Sequence, residues 1–204
     1  MKARRSGLNS YLTAEERESL ARVTVAIVGA GGLGSNCAAH LVRAGIRRLI
    51  LADFDVVSES NLNRQFFFRD QIGEKKVEAL ATNLRRIEPD LDLTLVAERL
   101  DAEGVSKLIA PADIVVEAVD VAETKATLIS LALAAGKKIV AASGMAGWGR
   151  SAAMTARQMG SNLVVVGDGE TSVSDTHPPQ SPRVGIAAAM EANSVLALIL
   201  NHPV

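Results

Sequence analysis

AIVGAGGLGSN, residues Ala26 to Asn36, carries an apolar run through a glycine-rich turn into a segment of small residues. Gly29, Gly31 and Gly34 form G-x-G-x-x-G between a strand and a helix, the context in which that spacing holds phosphate. Glycine permits the tight turn and lets an anion approach backbone amides at a helix N-terminus, where the helix dipole favours negative charge. Asp53 closes the next apolar run about twenty residues past Gly34, where a carboxylate accepts hydrogen bonds from ribose hydroxyls. A purely structural alternative is that the glycines serve close helix–strand packing and Asp53 caps a turn. Strand, loop, helix and acid in one register favour nucleotide binding without naming the nucleotide.

Outward from this stretch, VTVAIV (Val23 to Val28) and RLILAD (Arg48 to Asp53) have no polar face and read as fully buried strands. The helix between them ends near Gly45. LTLVAE, DIVVEA and KIVAAS read as further strands. Val77, Leu80, Ala81, Leu84 and Ile87 recur at helical spacing until Pro89 stops the helix. Helical stretches follow Asp101 and Glu123, the second closing at Gly136, and Thr13 with Glu16 has capping-box spacing for a helix over Thr13 to Ala21. The alternation predicts an α/β, Rossmann-like fold: a mostly parallel sheet with helices on both faces, extended antiparallel by AAMTAR and LVVV. Residues 1–204 read as a single domain, with 1–22 as an N-terminal arm and helix. Gly167 to Arg183 reads as a long loop and Val184 to Leu200 as a final helix packed on the sheet.

The 204 residues suffice for one domain with a full core. Net charge is −1, which gives no electrostatic case for nucleic acid or an anionic membrane as partner. Cys37 is the single cysteine, so no internal disulfide and no Cys-based, structural zinc site is expected within one chain. The N-terminal residues are basic without an apolar core, unlike a secretory signal, and Ile186 to Leu200 is too short to span a bilayer. A cytoplasmic protein is expected.

Two features lean toward ATP over a nicotinamide dinucleotide. Gly32 adds a glycine to the loop, and Ser35 and Asn36 place polar groups on the first helical turn. The segment DFDVVSESNLNRQFFF then brings Asp55, Asn61, Arg64 and Gln65 beyond the sheet's carboxyl edge, with Lys75 and Lys76 at the start of the next helix. Cations there suit a polyphosphate whose leaving charge must be neutralised. Any one of them alone is better explained as a solvated helix surface. A nicotinamide enzyme would instead need an apolar ring pocket and a hydride site, and neither is visible.

Three linked motifs carry a resemblance: G-x-G-G-x-G-S from Gly29 to Ser35, D-F-D-x-V-x-x-S-N-L-x-R-Q over Asp53 to Gln65, and I-G-x-x-K-V-E-A-L from Ile72 to Leu80. With GMAGWGRSAAMTAR, GDGE and PRVGIAAAMEANSVLALIL behind them, the chain from about Val23 resembles the ThiF/MoeB/HesA family of ubiquitin-like (sulfur-carrier) protein activating enzymes, in its short ThiF-type branch. The resemblance implies adenylation: the C-terminal glycine carboxylate of a small β-grasp carrier with a Gly-Gly tail attacks the α-phosphate of ATP, with Mg2+. The carrier is expected to be ThiS-like, in thiamine thiazole synthesis, and the enzyme a homodimer. By motif, Asp53 holds the ribose, the amides of Gly31 to Gly34 hold phosphates, Asn61, Arg64 and Gln65 orient ATP, and Lys76 rather than Lys75 contacts its phosphates. Asp55 joins this nucleotide-binding set. Asp120 matches the magnesium-associated aspartate, and Arg64, Lys76 and Asp120 form the implied catalytic set.

Departures accompany the matches. Val121 stands where the family's asparagine follows Asp120, and the chain lacks the two C-x-x-C zinc pairs and the crossover-loop cysteine of many relatives. Adenylation alone is expected, with sulfur delivered by another protein. Arg4 or Arg5 is a candidate to complete the site across a dimer, though both read better as solvated tail residues. Glu117 is either a second acid or a buried strand end; His40, His177 and His202 read as surface residues. The segment from Asp168 to Arg183 is either a connector or a closing loop over the carrier tail, hinged near Arg183. A NAD-dependent oxidoreductase and a non-catalytic binder of a ubiquitin-like protein stand as the alternatives.

Overall fold

A computed structural model describes residues 10–204; Arg4 and Arg5 lie outside them. The capping box at Thr13 and Glu16 forms and opens α1, Ala14–Arg22: the Glu16 amide donates to the Thr13 hydroxyl at 3.2 Å while the Thr13 amide donates to the Glu16 carboxylate at 2.7 Å. Strands β1 (Thr24–Val28), β2 (Arg48–Ala52), β3 (Asp92–Val96), β4 (Ile114–Glu117), β5 (Lys138–Ala142), β6 (Thr155–Met159) and β7 (Leu163–Gly167) form one sheet in the order β3-β2-β1-β4-β5-β7-β6. Every pairing is parallel except β6 with β7, so the LVVV run joins the parallel sheet against β5 and β6 alone is the antiparallel edge.

The helices are α2 (Gly32–Ala44), α3 (Lys76–Ile87), α4 (Ala102–Ile109), α5 (Ala122–Ala134) and α6 (Ser181–Leu200). Side chains on each strand alternate between two cores. Val25, Ile27, Leu49, Leu51, Val116 and Val140 pack with α2, α3 and α6; Ala26, Val28, Ile50, Val115 and Ile139 pack with α4 and α5. Burial on both faces explains why β1 and β2 carry no polar alternation. Strand order reverses direction between β1 and β4, and open α/β sheets bind ligands beyond the carboxyl ends of strands at such a switch point.

Two expectations need correction at the C-terminal end. The last helix starts at Ser181, three residues before Val184, because Pro182 fits a first turn whose amides need no intrahelical partner. Arg183 consequently belongs to the first turn of α6, where its side chain is buried. At 20 residues, α6 is also long and apolar enough by length and composition to cross a membrane, unlike the shorter run read from sequence. Half of its apolar window is buried within the fold, packed on α2 and the sheet.

Candidate functional site

The glycine turn lies at the carboxyl end of β1, and its shape follows from what crowds it. Gly29 has φ of 101°, and a Cβ there would stand 2.4 Å from the Ala118 carbonyl oxygen, so only glycine admits the close approach of the turn after β4. That turn is further tied by the Ala118 amide donating to the Val28 carbonyl at 2.9 Å. A Cβ on Gly31 would meet nothing nearer than the Gln65 Nε2 at 3.8 Å, which leaves room above the N-terminus of α2. A Cβ on Gly32 would lie 2.9 Å from the Val184 Cγ1 and 3.4 Å from the Arg64 Cγ. The start of α6 and the stem of Arg64 thus flank the open end of α2.

The segment after β2 wraps this opening. The Ser35 hydroxyl donates to the Gly31 carbonyl at 2.6 Å and accepts the Phe66 amide at 3.0 Å. Asn36 Nδ2 donates to the carbonyls of Gly32 and Arg64 at 2.7 and 2.9 Å. These bonds fix Arg64 and Gln65 beside the glycine turn. The Arg64 guanidinium is held by the Ser60 carbonyl at 3.2 Å and the Asn63 side chain at 2.7 Å. Gln65 is buried, and its Oε1 has no hydrogen-bond partner among the described residues. A buried amide oxygen without a partner costs about 1–3 kcal/mol, a cost that a donor supplied by a ligand removes.

Asp53 has structural work of its own. Its two carboxylate oxygens accept the amides of Ala30 at 2.7 Å and Asp55 at 2.9 Å. The acid therefore caps the glycine turn, as the structural alternative requires, and each oxygen keeps a lone pair for a hydroxyl. Lys76 is buried at the first position of α3, 2.7 Å from Asp55 and 4.0 Å from Asp53, so two carboxylates offset its charge. Asn61 Oδ1 accepts the Ser58 amide at 3.0 Å, capping the short helical turn that leads to Arg64.

Asp120 is exposed on the turn after β4, next to the glycine turn through Ala118, and pairs with no side chain among the described residues. No cluster of three metal-ligating side chains exists among the described residues. One free acid fits magnesium delivered with a polyphosphate, since that ion takes one or two carboxylates and fills its shell with phosphate and water. Glu117, the other acid of this strand end, is a buried strand-end residue whose carboxylate pairs with Lys125. Burial raises its pKa, and Lys125 opposes that rise.

Of the residues expected at the site, Gly29, Gly31, Gly32 and Gly34 lie on the turn after β1 and the start of α2, Asp53, Asp55, Asn61, Arg64, Gln65 and Lys76 lie between the end of β2 and the start of α3, and Asp120 lies on the turn after β4. Reading the sequence missed three features. Lys125 was visible only as one more lysine in a helix. Arg183 and Asp168 form a buried ion pair in which Arg183 also donates to the Gly149 carbonyl. Burial would raise Asp168, but the Thr171 and Glu170 amides, the Thr171 hydroxyl and Arg183 outweigh it and hold the pKa at about 2. This clasp ties the loops after β5 and β7 to the start of α6, and the Asn63 side chain donates to Pro179 across the rim at 3.4 Å. Finally, Glu191 of α6 is fully buried with neither oxygen partnered. Burial and then the charge of Glu117 push its pKa well up, which favours the protonated acid. Cys37 is buried beside it and its thiol is likewise pushed up, as expected of a packing residue.

Comparison with known proteins agrees with this architecture. Over 107 residues the chain is 41% identical to the molybdopterin-synthase adenylyltransferase of Salmonella typhimurium, covering 52% of this chain and 43% of that protein. It is 31% identical over 156 residues to the sulfur carrier protein ThiS adenylyltransferase of Escherichia coli, covering 76% of this chain and 62% of that protein. The matches thus span less than two thirds of these relatives' lengths. In fold, the chain matches the E. coli tRNA N6-threonylcarbamoyladenosine dehydratase TcdA, solved in complex with AMP, with a TM-score of 0.87 over 96% of this chain and 93% of that one, at 21% identity. The family model described as the ThiF family matches residues 4–204, and the chain belongs to that family.

Proposed function

We propose that the protein is an ATP-dependent adenylyltransferase that activates the C-terminal glycine carboxylate of a small ubiquitin-like sulfur carrier. The observation that carries this reading is the opening above α2, where a Cβ on Gly31 would meet nothing nearer than the Gln65 Nε2 at 3.8 Å and the stem of Arg64 flanks the start of the helix at Gly32. A helix N-terminus flanked by a cation suits a phosphate, and an unpaired buried acceptor suits a donor on the nucleotide. The sulfur-carrier adenylyltransferases among its relatives support the substrate class.

In this reading the amides of Gly31 to Gly34 hold the phosphates, and Arg64 and Lys76 offset the charge that develops on the leaving pyrophosphate. Asp53 turns its remaining lone pairs to the ribose while Asp55 holds Lys76 in place. Asn61 shapes the turn that presents Arg64 and Gln65. A carrier carboxylate oxygen attacks the α-phosphorus, the α–β phosphoanhydride bond breaks, and pyrophosphate leaves. Magnesium held at Asp120 would supply charge compensation to the phosphates. The carrier is ThiS-like and serves thiamine thiazole formation; the enzyme works in the cytoplasm as a homodimer. A nicotinamide oxidoreductase would leave Arg64, Gln65 and Lys76 without a role.

Radiolabelled pyrophosphate exchange into ATP tests this reading. Exchange should require Mg2+ and a carrier with an intact Gly-Gly tail, and a ThiS-like carrier should outperform a molybdopterin-type one. ATP binding with no exchange for any carrier would overturn the catalytic assignment.

A further inference from the structure

Glu117, at the end of β4, makes contacts that the proposed chemistry does not use. One carboxylate oxygen accepts the Val119 amide at 2.9 Å, and the other pairs with Lys125 Nζ of α5. The same ammonium donates to the Ala142 carbonyl at the end of β5 at 2.9 Å. The Lys125 amide, for its part, bonds the Val121 carbonyl at 2.9 Å. A side-chain bridge therefore closes the base of the short turn from Ala118 to Val121, and Asp120 lies within that turn. The near side of the turn is already fixed, because the Ala118 carbonyl abuts Gly29 so closely that no Cβ fits between them. With both ends tied, the Glu117–Lys125 bridge braces the turn that carries Asp120. Glu117 is fully buried, so losing Lys125 leaves a carboxylate that must find new partners by moving the turn.

We propose that Lys125 is a positioning residue that acts through Asp120: by bridging Glu117 to β5 it holds Asp120 where one divalent cation spans this acid and the phosphates on the glycine turn. The proposal rests on the nucleotide reading above, and it is tested by binding, apart from catalysis. Titration calorimetry of ATP into the full chain, with Mg2+ and with chelator, compares the parent with Asp120→Ala, Lys125→Met, Lys125→Arg and the Asp120→Ala/Lys125→Met pair. Mg2+ should tighten ATP binding by about tenfold in the parent and by less than about twofold in Lys125→Met, since a displacement near 1 Å suffices to break such geometry. The Mg2+-free affinity of the Lys125 variants should stay within about twofold of the parent, and Lys125→Arg should recover most of the tightening. The double variant should lose no more than Asp120→Ala alone, because residues acting as one unit are not additive.

If Lys125→Met fails to fold cooperatively, Glu117→Gln/Lys125→Met removes the unpaired buried charge and takes its place with the same expectation. Retained tightening in Lys125→Met, or a double-variant loss equal to the sum of the single ones, overturns the positioning role alone. A parent chain that binds no ATP under either condition overturns the nucleotide reading, and the positioning role falls with it.

Discussion

Gly34→Ala and Gly31→Ala change the same atom in one short turn and should have different consequences. On Gly34 an added Cβ stands 1.8 Å from the Gly29 carbonyl oxygen and 3.0 Å from the Ile27 Cγ2. Ordinary carbon contacts lie at about 3.5 Å, so the start of α2 must withdraw from β1 by roughly 1.5 Å. Gly29 has little freedom to yield, since its amide bonds the Ala52 carbonyl at 2.8 Å and its Cα faces the Ala118 carbonyl. Overpacking of this kind costs about 1–3 kcal/mol. A shift of this size in the phosphate cradle should lower pyrophosphate exchange by about a hundredfold or more. On Gly31 the added Cβ meets only the Gln65 side chain at 3.8 Å, and φ is −79°, so alanine fits the empty fold. Loss of glycine at this N-cap costs at most about 1 kcal/mol. Yet the methyl projects into the space assigned to phosphate, so ATP affinity should fall by about tenfold while folding is nearly unchanged. Urea unfolding beside ATP titration reads both quantities. If Gly31→Ala bound ATP like the parent, the cradle would be misplaced; if Gly34→Ala kept both stability and exchange, the close helix–strand contact would be without consequence.

Three further outcomes follow from single contacts. Gln65→Met removes the partnerless oxygen, so stability should hold or rise by up to about 1 kcal/mol while ATP binding weakens; binding unchanged in calorimetry would remove Gln65 from the site. Asp168→Asn breaks the clasp with Arg183 and should cost about 1–3 kcal/mol at pH 7. Because the folded pKa is depressed to about 2, the parent's advantage is full above the ordinary aspartate range and disappears as pH falls through about 2. Urea melts of both proteins across that range read the convergence, and parallel profiles would refute it. For Glu191 the sign is opposite: a raised folded pKa means the native state binds more protons, so parent stability declines as pH rises above the unfolded value. Glu191→Gln should therefore gain on the parent as pH rises above the ordinary glutamate range, and a constant difference would show that the Glu191 pKa is not raised by folding.

What the sequence determined is local. Glycine spacing dictates a phosphate-type turn because only glycine tolerates the backbone there, and unbroken apolar runs dictate buried parallel strands because neither face can meet water. The Thr13 capping box and the stop at Pro89 are likewise interactions within a few residues, and both appear where the spacing puts them. The boundary of α6 escaped because turn formers such as Pro182 serve both a loop and a helix start. Tertiary structure decided what depends on contact between distant segments. It brought the turn after β4 against Gly29 through β1–β4 pairing, joined Lys125 to Glu117, and buried Arg183 against Asp168. It also gave Asp53 two backbone amides to hold and left Gln65 with none for its oxygen. A residue's type states which bonds it can make; which atoms come within 3 Å of it depends on how helices and strands far apart in the chain pack to exclude water.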